Sequence, residues 1–490
     1  MLLLIVAALV PRLAVFPINE NLYGDAIART EMAETWARAP HVMTSFGDGA
    51  AQFGPLHLYL VGGALQVFDR EEAGRVVSLL FGVLSVIPLF GLTRRYFGTR
   101  AATWACLAFA PWGIHIQSST TAGSEAVALF FMLAAFAAFA RALDMRTPTS
   151  FIAPAVVMNL ACALRYDAWM YVALLSVLPA FRWRTIRGIK AGAIFLLLSL
   201  PYPLFWMYGN AMAHGDALYP LAYIDAFHRT WAESATGWQE WWLRIQGLGF
   251  WPAMAVFTLT PGIAMFGGIG MLTSWRARPD TRWLTLCAVL PVAYYAIRTT
   301  VLFNFVPLGR FTVVQLALLL PFVVSGFAWC AARWGAITAR RLAIISAVLA
   351  VAMPAALGAY TYRSDTVGPT VLRPLSPTST NARSLMVAAD FIRNEITGRG
   401  RTVAIDSDAS YQDLQVGFFA RLNTDTAMRM RWPDFRARVE RTPPDFIVRF
   451  DRGALADEPW VSTTADTLTI AGVTYRELNG FSPPVRVYQR

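Results

Sequence analysis

GSEAVALFFMLAAFAAFA, residues 123–140, is followed at 141–146 by RALDMR. A run this apolar suits the bilayer interior, where every backbone N–H and C=O must find its partner within the segment, and only a helix does that for one strand of chain. Its one acid, Glu125, stands near the start, and two arginines, Arg141 and Arg146, follow the end. Comparable runs lie near 1–17, 73–93, 101–120, 150–164, 168–180, 190–208, 250–272, 283–300, 311–331 and 342–360, giving about eleven spans.

The composition agrees. Of 490 residues 56% are hydrophobic and 15% charged, against about a quarter charged in soluble domains. The net charge of +11 is carried by arginine, Lys190 being the sole lysine. No basic amphipathic stripe or groove-reading motif accompanies it, which excludes nucleic acid as a partner. Cys106, Cys162, Cys287 and Cys330 all fall inside apolar runs and read as small buried hydrophobes. The start, Met1-Leu2-Leu3-Leu4, lacks a charged n-region and reads as a first span rather than a cleaved leader.

Arginine-rich connections occur at 94–100, 141–146, 182–190, 276–282 and 333–341. The positive-inside rule puts these in the cytoplasm, in an inner (plasma) membrane, with the N-terminus inside and the C-terminal tail outside. Segments 18–72, 209–249 and 361–490 then face the extracytoplasmic side. In the first, Pro55-Leu56-His57-Leu58-Tyr59-Leu60 suits a short surface helix. In the second, Trp231, Trp238, Trp241 and Trp242 suit an interfacial belt.

Beyond residue 382 the pattern changes. Helices are expected at 383–396 and 410–421, and strands at 402–405 and 446–450, the last after Pro443-Pro444. The fold class is therefore a polytopic α-helical membrane module, residues 1–362 with its loop 18–72. A linker rich in Pro, Ser and Thr follows at 363–381, then a small extracytoplasmic α/β domain at 382–490.

Two acids fall on the same expected side: Asp25, just after the first span, and Glu125. Asp25 could serve only as a helix cap, whereas acids at membrane depth tend to line polar cavities. Arg165, Arg298 and Arg310 break the charge rule by standing at the outer ends of spans. They could snorkel to headgroups, and Arg165 could pair with Asp167; equally, the guanidinium fork suits a phosphate. The five histidines, His41, His57, His115, His214 and His228, could with carboxylates hold a divalent metal ion, though no two share a ligand spacing.

The loop Asn21-Leu22-Tyr23-Gly24-Asp25-Ala26, then Gly54-Pro55-Leu56 and Gly74-Arg75, resemble the amino-terminal half of the GT-C glycosyltransferases. Within that superfamily the chain is most similar to the ArnT-like and protein O-mannosyltransferase-like (glycosyltransferase family 39-like) group. It departs by having Asp25-Ala26 for Asp-Glu and Gly54-Pro55 for Pro-Pro. Ser118 to Glu125, Leu164-Arg165-Tyr166-Asp167 and Gly309-Arg310-Phe311 continue the resemblance to about residue 330. It implies a polyprenyl-phosphate-linked sugar donor presented by the membrane lipid, and a glycolipid, glycan or protein hydroxyl as acceptor. It implies Asp25 as base and Glu125 as a second catalytic group. Arg165, Arg298, Arg310, His57 and Tyr166 would form the substrate-binding set. The rival readings are a transporter or flippase of lipid-linked sugars, which would show repeated halves that this sequence lacks, and a non-catalytic or ligase-like membrane scaffold.

Overall fold

The computed structural model describes residues 1–18, 24–233, 235–363, 383–396, 399–407, 412–422, 427–464 and 466–490. These fall into two compact units, one holding 1–18 and 32–359, the other 24–31 and 383–490.

The first unit is helical. Glu125–Met145 and Ala336–Tyr360 are each long and apolar enough to cross a membrane. Arg70–Phe109 is 40 residues long, about twice one crossing, and is broken at Gly98, whose φ of +83° few other residues adopt. Counting by length and composition gives four spans among the described residues, or up to seven if each bent helix pair is one span, with Leu2–Val15 and Pro148–Cys162 as shorter apolar helices. The run read as one span over 250–272 is two helices, Trp238–Leu259 and Pro261–Ala277, meeting at 116°. Thr260, at φ +68°, makes the corner ahead of Pro261, whose missing N–H cannot continue the first helix.

Apolar side chains lie on the outside as well as in the core, unlike in a soluble protein. Phe136, Phe139, Phe151, Phe195 and Trp283 interlock edge-to-face inside, while Leu197, Ile344, Val348 and Val351 point outward, exposed. Polar side chains inside are tied up. Buried Arg12 donates to His115 Nδ1 (2.6 Å), Ser119 Oγ (3.2 Å) and the carbonyls of Ala8 (2.6 Å) and Ala110 (3.2 Å), fastening the first helix to residues 113–120.

The second unit is a seven-stranded mixed sheet: β1 (Val403–Ile405), β2 (Ala427–Arg429), β3 (Phe446–Phe450), β4 (Val461–Thr463), β5 (Thr467–Ile470), β6 (Val473–Glu477) and β7 (Val485–Gln489), in the order β2-β1-β3-β7-β6-β5-β4. β1 runs parallel to β2 and β3, and the other pairs are antiparallel. Alternation sends Val403, Ile405, Phe446 and Val448 to one face, under helices Arg383–Ile396 and Gln412–Phe419, and Ala404 and Ile447 to the other, with Phe435 and Val439. Ile27, from helix Gly24–Arg38, joins the first of these cores, and Glu31 meets Arg429 at 3.3 Å. The expected helix at 383–396 and strand at 446–450 are found at those positions. Of the expected linker 363–381, residues 364–381 lie outside the described part, as do the first two residues of the helix expected at 410–421.

Candidate active site

Glu125 opens helix Glu125–Met145, and its carboxylate folds back over the preceding turn. A Cβ on Gly123 would stand 2.5 Å from Glu125 Oε2, so the absence of a side chain there makes room for the acid. The turn is held from below by helix Arg70–Leu84. Ser78 donates to the Gly123 carbonyl (3.0 Å), and Arg75, one turn earlier, donates to the carbonyls of Thr120 (2.9 Å) and Phe16 while lying over the Phe16 ring.

Arg165 lies in the short link between Ile152–Cys162 and Asp167–Trp183. That link is placed by a segment far away in sequence. Leu56 N–H donates to the Ala163 carbonyl at 3.2 Å, and a Cβ on Gly54 would come within 2.4 Å of the same oxygen and 2.6 Å of Leu164 O. Pro55 starts the helix that makes this contact, at the position where its missing N–H costs nothing. The motifs Gly54-Pro55-Leu56 and Leu164-Arg165-Tyr166-Asp167 are thus two halves of one joint.

From there Arg165 reaches two carboxylates. Its Nη1 is 3.0 Å from Glu125 Oε1, and its Nε is 3.2 Å from both Asp167 oxygens. Arg310, in the single turn Gly309–Thr312, brings Nη1 to 3.8 Å from the same Glu125 oxygen. Phe311 lies under both cations, with ring-centre distances of 6.0 Å to Arg165 and 5.6 Å to Arg310. Two acids and two arginines therefore line one narrow cleft, floored by Ala128, Met132, Ala168, Tyr171, Val313 and Val314, with room left for about one water.

Arg298 does not line this cleft, so the structure brings together two of the three arginines. Arg298 pairs with Asp225 (2.8 Å) and Asn304 Oδ1 (3.1 Å), with Phe305 beneath it at 4.9 Å. Asp225 belongs to the middle loop, and nothing in the spacing of the sequence announces that partnership. Beside it, burial above all and then Arg298 lower the His228 pKa to about 4, so the neutral ring accepts from Val306 N–H through Nδ1 (3.1 Å). Tyr166 turns its hydroxyl to Trp206 Nε1 (3.0 Å), and His57 is buried on helix Pro55–Ala64; neither lines the cleft. Asp25 lies in the first turn of helix Gly24–Arg38, in the second unit. Of the other histidines, His115 serves Arg12, His41 faces Asp48 (3.4 Å) and His214 stacks on Tyr219. Among the described residues no three His, Cys, Asp or Glu side chains gather as metal ligands would.

The segment that carries Glu125, Arg165 and Asp167 of this cleft also has relatives in sequence. Residues 52–208, from Gly54 past Asp167, match the family described as dolichyl-phosphate-mannose-protein mannosyltransferase. The whole chain shares its fold with ArnT from Cupriavidus metallidurans bound to undecaprenyl phosphate, at 14% identity and a TM-score of 0.62, over 99% of this chain and 97% of that one. The chain has a GT-C-like fold. The fold also resembles the oligosaccharyltransferase of Archaeoglobus fulgidus in complex with Zn and sulfate (14% identity, TM-score 0.53, 91% of this chain and 68% of that one). Oligosaccharyltransferase AglB from Archaeoglobus fulgidus, in complex with an inhibitory peptide and a dolichol-phosphate, gives a TM-score of 0.51 at 14% identity, over 92% and 69% of the two chains. No curated protein matches the sequence.

Proposed function

We propose that the protein transfers a sugar from a polyprenyl-phosphate donor to a hydroxyl of a lipid, glycan or protein at the extracytoplasmic face of the inner membrane. The observation that carries this reading is the cleft in which Glu125 and Asp167 hold Arg165, and Glu125 faces Arg310, within a fold shared with an undecaprenyl-phosphate-bound transferase. In the reaction the acceptor oxygen attacks the anomeric carbon, the bond from that carbon to the phosphate oxygen breaks, and the polyprenyl phosphate departs. The leaving group gains negative charge as it goes, and fixed guanidinium groups stabilise it most at that moment. We assign Arg310 to the phosphate. Arg165, engaged by two carboxylates, sets the geometry of the cleft. Asp25 is the base that takes the acceptor proton, an assignment supported by the match of its loop to the family pattern.

Asp25→Asn tests the base. Asn keeps the capping ability and loses the basicity, so transfer is abolished while membrane insertion is unchanged. Activity within a few-fold of wild type returns Asp25 to a helix cap. Substrate class is read by mass analysis of envelope glycans in a deletion strain; an unchanged glycan, lipid and protein profile refutes transfer. Orientation is read from C-terminal fusions: alkaline phosphatase is active and green fluorescent protein dark if the tail is outside.

A further inference from the structure

We infer that the membrane unit carries a second phosphate-recognising site, for the headgroup of an anionic phospholipid, at the end of its helices opposite the Glu125 cleft. Helices Glu125–Met145 and Asp167–Trp183 both begin at the cleft. At about 1.5 Å per residue they end roughly 26–31 Å away, the thickness of a bilayer's hydrocarbon core. Their far ends, with the start of helix Ile186–Ser199, surround an open recess of about 400 Å³ lined by Arg146, Arg182, Trp183, Thr185 and Arg187.

Three features mark the recess as a receptor for an anion. First, it holds three exposed arginines, and no carboxylate lines it. Among the described residues none of the three forms an ion pair, and the nearby Asp144 is taken by Arg95. Second, the arginines are brought together by packing. A Cβ on Gly188 would meet the Pro179 carbonyl at 2.5 Å, so the two helices close tightly and set Arg187 beside Arg182. Third, the start of a 14-residue helix faces the recess, with Thr185 as its cap and the N–H groups of its first turn adding to the positive field.

Arginines on this side of a membrane protein can be topology signals and nothing more. The arginine-rich loop at 276–282 shows what that looks like. Arg278 donates to the Tyr96 carbonyl (2.6 Å), and Arg282 donates to the Trp275 carbonyl (2.7 Å) and covers its ring. Those side chains are consumed by their own fold, whereas Arg146, Arg182 and Arg187 converge on open space. The source of the phosphate follows from the neighbours of these arginines in the sequence: Phe181, Ile186 and Ile189 are interspersed with them and are 74%, 65% and 58% exposed. Exposed apolar side chains next to a cationic recess match a phosphodiester with acyl chains attached, which a soluble anion does not provide.

The test is native mass spectrometry of the full-length protein in detergent, titrated with phosphatidylglycerol and, separately, with phosphatidylcholine. The wild type retains phosphatidylglycerol in preference, and millimolar inorganic phosphate leaves it bound. Arg182→Gln with Arg187→Gln weakens retention about tenfold, and the corresponding Lys pair, which keeps charge and topology, about threefold. Arg146→Lys, at a different helix end, also weakens it, while Arg341→Lys, in another arginine-rich loop, has no effect. Equal retention of both lipids, equal retention by the variants, or displacement by inorganic phosphate overturns the inference.

Discussion

Replacing Glu125 by Gln removes one charge from the centre of the cleft. Glu125 is 7% exposed, 3.0 Å from Arg165 Nη1 and 3.8 Å from Arg310 Nη1. At an effective dielectric near 20 the closer attraction alone is on the order of 5 kcal/mol before desolvation is counted. Much of that is recovered. Gln still offers Arg165 a carbonyl oxygen, Asp167 still holds its Nε, and taking a neutral amide out of water costs less than taking a carboxylate. The net loss is about 1–3 kcal/mol, and it falls on the placement of two cations rather than on one bond. If those cations stabilise the departing phosphate, turnover drops about 10- to 100-fold, equivalent to roughly 1.4–2.8 kcal/mol of barrier. The assay is release of polyprenyl phosphate from a labelled donor by purified protein, alongside a thermal melt of the same sample. Turnover within twofold of wild type would refute the reasoning, because a charge at this position would then be irrelevant to the reaction.

Gly123→Ala places a methyl group 2.5 Å from Glu125 Oε2 and displaces the acid, so it lowers turnover in the same direction. Combined with Glu125→Gln it adds little, and full additivity of the two effects in the same assay would show that Gly123 acts elsewhere. Arg310→Lys keeps the charge and loses the fork, weakening donor binding by about 1–3 kcal/mol, and Arg310→Ala costs more; in both, the acceptor KM is unchanged. A snorkelling arginine would tolerate lysine without loss, and donor titration separates the two. In the second unit buried Asp406 accepts from Ser407, Leu455 and Phe450 N–H, yet burial dominates and raises its pKa to about 6. The folded state therefore binds the proton more tightly than the unfolded one. Stability from this group is fully present below about pH 4 and is lost as pH rises towards 6, by up to about 3 kcal/mol. Hydrogen exchange of β1 and β3 at pH 4.5 and 7, corrected for intrinsic rate, reads it, and Asp406→Asn removes the slope.

Much of this was legible in the sequence, and what was not has physical reasons. Helix Arg383–Ile396 and strand Phe446–Phe450 stand out because one buries a stripe and the other a continuous run. Strand β2, of three residues, and strands β4 to β7 do not stand out. Outside their buried positions β4 to β7 carry Thr, Ser and Arg, which dilute the apolar signal, although Thr467-Leu468-Thr469-Ile470, then Ala471-Gly472 at positive φ, is an alternating strand leading into a tight hairpin turn. Glu125, Arg165 and Arg310 were recognisable as charges out of place at the ends of spans, a one-dimensional property. Their mutual distances were not, and Arg298 met the same criterion while belonging to Asp225. Phe311, Gly54 and Gly123 carry no charge anomaly. Only the close approaches around them disclose what they do.

The contact of Gly54 and Leu56 with the Ala163–Leu164 carbonyls sets a rule for anyone rebuilding this protein. A chimera that takes residues 160–168 from a relative and leaves 52–58 behind would join a hinge to the wrong socket, since any side chain larger than hydrogen at 54 pushes out the link that carries Arg165. The reverse swap fails for the same reason. The two stretches must be exchanged as a pair, and a library for altered donor preference should treat them as a single cassette, with the intervening helices as ballast.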